Sequence, residues 1–108
     1  MPQFDVHENL GRHRRRIPYV LVIQSDQFSD YRRRVVVPLV ATDAVDTKNL
    51  ASFLNPQLTV LGQRVVLHPL EIVSIPCSEL GRLVTNLDRH SDTILNALDE
   101  LTRRTNLT

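Results

Sequence analysis

The sequence predicts a mainly β fold, either α+β or a small barrel, with one terminal helix packed against it. Three observations lead there. β-Branched runs bounded by polar clusters fill the first two-thirds of the chain, apolar residues recur at helical spacing only towards its end, and strands and helices do not alternate. A chain of 108 residues has room for one core, so residues 1–108 read as a single domain.

Each element has its own warrant. Residues 3–7 alternate weakly, with Phe4 and Val6 on one side. Residues 19–24 and 34–41 are rich in Val, Ile and Leu without alternation, as expected of strands covered on both faces. Residues 57–61 and 63–68 flank Gly62, which predicts a tight hairpin. Residues 71–75 form a further short strand, closed by Pro76. Residues 25–31 are a polar turn, and residues 42–56 a longer connection in which Leu50, Phe53 and Leu54 form one helical turn. Ile94, Leu95, Leu98 and Leu101 then mark the buried face of the terminal helix, and Leu80, Leu83, Val84 and Leu87 continue that period upstream. Asp88 and Asp92 suit the helix start and Arg103 and Arg104 its end, with Asp99–Arg103 and Glu100–Arg104 as acid-first i,i+4 pairs.

Composition excludes several classes. Hydrophobic residues at 42% and charged residues at 23% are a globular balance, not that of a disordered chain. The longest apolar run, residues 35–41, is far too short for a membrane span and is interrupted by Pro38. The N-terminus carries acids and no apolar stretch of a secretory signal, and the single cysteine, Cys77, permits no intrachain disulfide. A cytoplasmic protein with no membrane partner is expected. The net charge of +1 supplies no global field towards nucleic acid. Seven of the thirteen basic residues nevertheless fall in two runs, Arg12, Arg14, Arg15 and Arg16 around His13, and Arg32, Arg33 and Arg34. If residues 19–24 and 34–41 pair as a hairpin, those runs sit at opposite ends of it, as solvated loop charge rather than one patch. Aromatic residues at 5% provide no interleaved stacking platform.

Catalytic chemistry finds no constellation either. His7, His13, His68 and His90 lack zinc-type spacing, and Cys77 reads as a buried, inert thiol. No nucleophile elbow or glycine-rich phosphate loop occurs. The expectation is a small non-enzymatic binding domain with no catalytic residues, no metal and no cofactor.

Several segments go further. Tyr19-Val20-Leu21-Val22-Ile23-Gln24-Ser25-Asp26, then Arg34-Val35-Val36-Val37-Pro38-Leu39, closely resemble the CcdB family of plasmid-type toxins. Gln3-Phe4, Leu54-Asn55-Pro56, Val66-Leu67, Val73-Ser74-Ile75-Pro76 with Leu80-Gly81, and His90 with residues 94–98 match the family pattern in order along nearly the whole chain.

The resemblance implies a mainly β, α+β fold, a CcdB/Kid-like barrel-type antiparallel sheet with a long C-terminal α-helix, acting as a homodimer. It also implies a type II toxin that poisons DNA gyrase through its GyrA subunit. A CcdA-type antitoxin would neutralise it, and operator DNA would be met only through the toxin–antitoxin complex that represses the operon. The gyrase-binding positions implied by alignment are Gln27, Phe28, Asp99, Thr102, Arg103, Arg104 and Thr105. The chain departs from the family there. A short W-G-I-type terminus is replaced by Arg103, Arg104 and Thr105, followed by Asn106, Leu107 and Thr108. Where the family's Trp meets an arginine of gyrase, Arg103 presents like charge, so weak or absent poisoning is expected. Two other readings stand beside this one. One is a family member that has lost poisoning but binds an antitoxin or another protein. The other is a Kid/MazF-type endoribonuclease, for which Asp5, His7 and His68 offer no convincing acid–base pair.

Overall fold

The computed structural model describes residues 3–105, a curled antiparallel sheet of seven strands with one helix at its C-terminal end. The strands are β1 (Asp5–Asn9), β2 (Tyr19–Val22), β3 (Arg33–Ala41), β4 (Gln57–Val60), β5 (Gln63–Leu67), β6 (Val73–Pro76) and β7 (Leu80–Asn86), followed by α1 (Ser91–Thr102). Their order is β4-β5-β3-β2-β1-β7, with β6 also paired to β3. Met1, Pro2, Asn106, Leu107 and Thr108 lie outside the described residues.

The organising strand is β3. One side pairs with β2, from Tyr19 opposite Leu39 to Val22 opposite Val36. The other side is shared: β6 takes the half from Arg33 to Val36 and β5 takes Leu39 to Ala41. Pro38 stands at the handover between them. Its carbonyl accepts from the His68 amide on that side, so the N–H that proline lacks would face the same gap. A proline is therefore tolerated in a strand with neighbours on both sides.

The β-branched runs are covered on both faces, as the sequence predicts. Leu21, Val37 and Leu39 point into the main core with Phe4, Val6, Leu58, Val60, Val65, Leu67, Leu87, Ile94 and Ala97. Val20, Val22 and Val36 form a smaller cluster with Ile75 and Leu80 packed against it. Strand alternation assigns the two sets to opposite faces.

The hairpin at Gly62 is present, with Val60 opposite Gln63. Leu61 (φ 49°) and Gly62 (φ 82°) both have positive φ, the backbone of a type I′ turn. Gly81 serves a different need. A Cβ there would collide with the Glu8 carbonyl oxygen, where β7 crosses the irregular register of β1.

Four expectations need correction. Residues 80–86 are strand β7, not helix: pairing with β1 overrides a short apolar period, leaving Val84 packed inward and Leu83 54% exposed. The buried face of α1 is Ile94 and Ala97, with Leu98 packed at its margin, whereas Leu95 is 44% exposed. The first strand starts two residues late because Phe4 has φ 67°, in the left-handed region and outside the extended backbone of a regular strand. Strand β6 likewise starts late, because a 3₁₀ turn over Pro69–Glu71 takes Glu71. In the 42–56 connection, 3₁₀ turns occupy Thr42–Ala44 and Thr47–Asn49. A single helical-type turn follows, closed by Asn55 N–H donating to the Ala51 carbonyl, with Phe53 pointing out at 75% exposure.

Candidate functional site

The connection between β2 and β3 is held by its own side chains. Gln24 spans it: its Nε2 donates to the Phe28 carbonyl at 2.9 Å, and its Oε1 accepts from the Val35 amide at 3.2 Å. Ser25 caps a 3₁₀ turn over Asp26–Phe28 by accepting from the Gln27 amide. Asp26 accepts from the Gln3 amide at 2.9 Å, fastening the turn to the N-terminal segment. From the far side, Arg34 donates to the carbonyls of Ser29 (2.7 Å) and Tyr31 (2.6 Å). The Gln24-Ser25-Asp26 motif is thus a clamp, a cap and a tether for one loop.

What the loop presents is apolar. Phe28 is 56% exposed and Tyr31 67% exposed. With Gln24, Gln27, Asp30 and Val35 they line an open cleft of about 590 Å³. A second cleft of about 580 Å³ adjoins it, sharing Asp30 and Tyr31 and continuing over Arg32, Arg33 and Pro76. Arg33 is steadied by Ser74, donating to its Oγ at 3.0 Å and its carbonyl at 2.8 Å. Cys77 lies alongside, half-buried rather than buried, with Sγ 3.6 Å from the Tyr31 carbonyl.

The helix end is a separate surface. Asp99, Glu100 and Arg103 line a cleft of about 400 Å³ with Asn96 and the exposed ring of Phe53. Arg103 pairs with Glu100 at 3.6 Å in i,i+3 spacing. The expected Asp99–Arg103 and Glu100–Arg104 pairs are absent among the described residues, because α1 stops at Thr102 and Arg103 turns to extended backbone. Thr102, Arg104 and Thr105 are exposed beside it. The candidate residues therefore divide: Gln27 and Phe28 line one cleft, Asp99 and Arg103 another. Tyr31, Arg32, Arg33 and Phe53 complete these surfaces and were not singled out as site residues in the sequence. Tyr31 between Asp30 and Arg32 was the available signal, whereas Phe53, between Ser52 and Leu54, carried none.

The two arginine runs do lie at opposite ends of the β2–β3 hairpin. Arg16 accepts from the Ala41 amide at one end, and Arg32 accepts from the Cys77 amide at the other. Arg16 also pairs with Glu71 at 3.4 Å. The histidines stay apart. His7 Nδ1 lies 2.9 Å from the Gly81 carbonyl, and His68 follows β5 with its buried Nδ1 3.7 Å from Glu71. His90 precedes α1 in a 3₁₀ turn over Asp88–His90. Among the described residues no group of three or more His, Cys, Asp or Glu side chains gathers as a metal site, and no helix is long and apolar enough to cross a membrane.

The family model for the CcdB protein matches residues 3–103. The chain belongs to the CcdB family. The match includes the Gln3–Asp26 tether, the β2–β3 loop, the whole of α1 and Arg103. CcdB is a toxin family of toxin–antitoxin systems, and the curled sheet with one C-terminal helix is consistent with its fold. Among curated proteins, no sequence matches this CcdB-family chain.

Proposed function

We propose that this protein is a CcdB-like toxin of a type II system whose target is the GyrA subunit of DNA gyrase. In this reading it is a cytoplasmic homodimer, neutralised by a CcdA-type antitoxin, and reaches operator DNA only as part of the antitoxin complex that represses the operon. The observation that carries the reading is the family match over residues 3–103. The β2–β3 loop supports it, since Phe28 keeps an exposed apolar side chain on a loop locked from both sides. Such preorganisation lowers the ordering cost of binding a protein partner.

The helix end supports a narrower version, in which partner binding is retained and poisoning is weak. Arg103 and Arg104 are exposed where the family carries its aromatic terminus, and hot spots favour aromatic anchors in desolvated pockets. Burying an extra guanidinium against a gyrase arginine would cost several kcal/mol without a compensating carboxylate.

Calorimetric titration with the GyrA subunit of the native host tests this directly. Saturable binding that Phe28→Ser weakens at least about tenfold is expected for an anchor worth roughly 1.4 kcal/mol or more. Absence of binding to host GyrA would remove gyrase from the account.

A further inference from the structure

The two clefts around Asp30 and Tyr31 differ in chemistry but are continuous. The first offers the faces of Phe28 and Tyr31 with Val35, framed by two amide side chains. The second offers Arg32 and Arg33. Among the described residues none of Arg32, Arg33 and Arg34 has a carboxylate within ion-pair distance, unlike Arg16, Arg82 and Arg103. Arg33 and Arg34 spend their donors on neutral Ser74, Ser29 and Tyr31 oxygens, so their positive charge stays uncompensated. Aromatic and arginine side chains are the types most enriched among interface hot spots.

We propose that these clefts form one docking groove for an extended peptide segment of a protein partner, with apolar side chains against Phe28 and Tyr31 and a carboxylate on Arg32 and Arg33. Charge complementarity selects the occupant. Asp30 borders both clefts, so a nucleic-acid strand, charged at every link, would be driven across a carboxylate. A peptide can keep its negative charge on the arginine side and its apolar residues on the aromatic side. The guanidinium fork of Arg32 suits a bidentate carboxylate, with Arg33, held through Nε and Nη2 by Ser74, adding its charge, and this gives the groove a direction. The proposal rests on the loop being the recognition side of the molecule, as in the reading above, but its test needs no gyrase.

The probe is an acetylated, amidated hexapeptide of three leucines followed by three aspartates, titrated into the isotopically labelled full chain and followed by amide chemical shifts. Shifts confined to residues 24–35 and 73–77 are expected. Replacing the aspartates by asparagines or introducing Arg32→Ser should weaken binding about tenfold through a lost charge-assisted hydrogen bond, and Phe28→Ser by a similar factor through the lost aromatic contact. Arg14→Ser, at the other end of the sheet, should leave it unchanged. Phe28 and Arg32 are exposed, and an unchanged amide spectrum of each free variant confirms that it folds. Three results with the peptides would overturn the proposal: equal affinity for the uncharged peptide, shifts centred on the Arg12–Arg16 loop, or no shifts. Tighter binding of a single-stranded oligothymidine than of the peptide would do the same. Loss of gyrase binding with peptide binding intact would sink only the gyrase reading.

Discussion

Truncating two adjacent helix residues separates the packing of α1 from its mere apolar period. Ile94 is fully buried in the main core, whereas Leu95 is 44% exposed. Ile94→Ala removes three carbons, about 0.8 kcal/mol each in transfer terms, or about 2.4 kcal/mol. Ile94 shares its cluster with Leu87, Leu67 and Phe4, from three separate segments, so the site has little freedom to collapse. The unfilled cavity then raises the expected loss to about 3–4 kcal/mol. Leu95→Ala should cost about 0.5–1 kcal/mol, because its side chain already meets solvent. Urea denaturation at one fixed protein concentration measures both, with unchanged m-values required for the comparison. Equal costs for the two variants, or a loss below about 0.5 kcal/mol for Ile94→Ala, would refute the helix phase described here.

Further outcomes follow from single features. Leu61→Asn should stabilise the protein by about 1 kcal/mol, since Leu61 pays for a left-handed backbone that asparagine tolerates, read as a raised urea midpoint. Gly81→Ala should destabilise it by about 1–3 kcal/mol through collision with the Glu8 carbonyl, with loss of hydrogen-exchange protection concentrated in β1 and β7. Gln24→Ala should cost about 1–2 kcal/mol and speed exchange of the Val35 amide, because both loop-spanning hydrogen bonds disappear. Light scattering at micromolar concentration should return the mass of a homodimer, and a monomeric mass would contradict that assembly.

The sheet was legible in the sequence where strands are covered on both faces. Residues 34–41 carry a β-branched run that only a doubly packed strand needs, and β3 is that strand. Strand β7 was not legible, because Leu80, Leu83, Val84 and Leu87 satisfy a helical period over too few residues to exclude pairing. Nor was the phase of α1: Ala97 is buried and Leu95 is not, a distinction set by the shape of the sheet beneath. At the site, the family resemblance pointed to Gln27 and Phe28, but the reason for Gln24-Ser25-Asp26 lies in bonds to Phe28, Val35 and Gln3. The apolar role of Tyr31 and the uncompensated charge of Arg32 and Arg33 depend on which carboxylates lie nearby, which no linear pattern records.

In the proposed reading this CcdB-family protein engages gyrase through the β2–β3 loop while its altered helix end poisons poorly. A DNA cleavage assay with gyrase from the native host and from a laboratory species tests it most directly. The account predicts little or no cleavage-complex trapping by the wild-type protein at concentrations that saturate GyrA binding. Potent, ATP-dependent trapping of either enzyme, abolished by Arg103→Ala and untouched by Phe28→Ser, would contradict it.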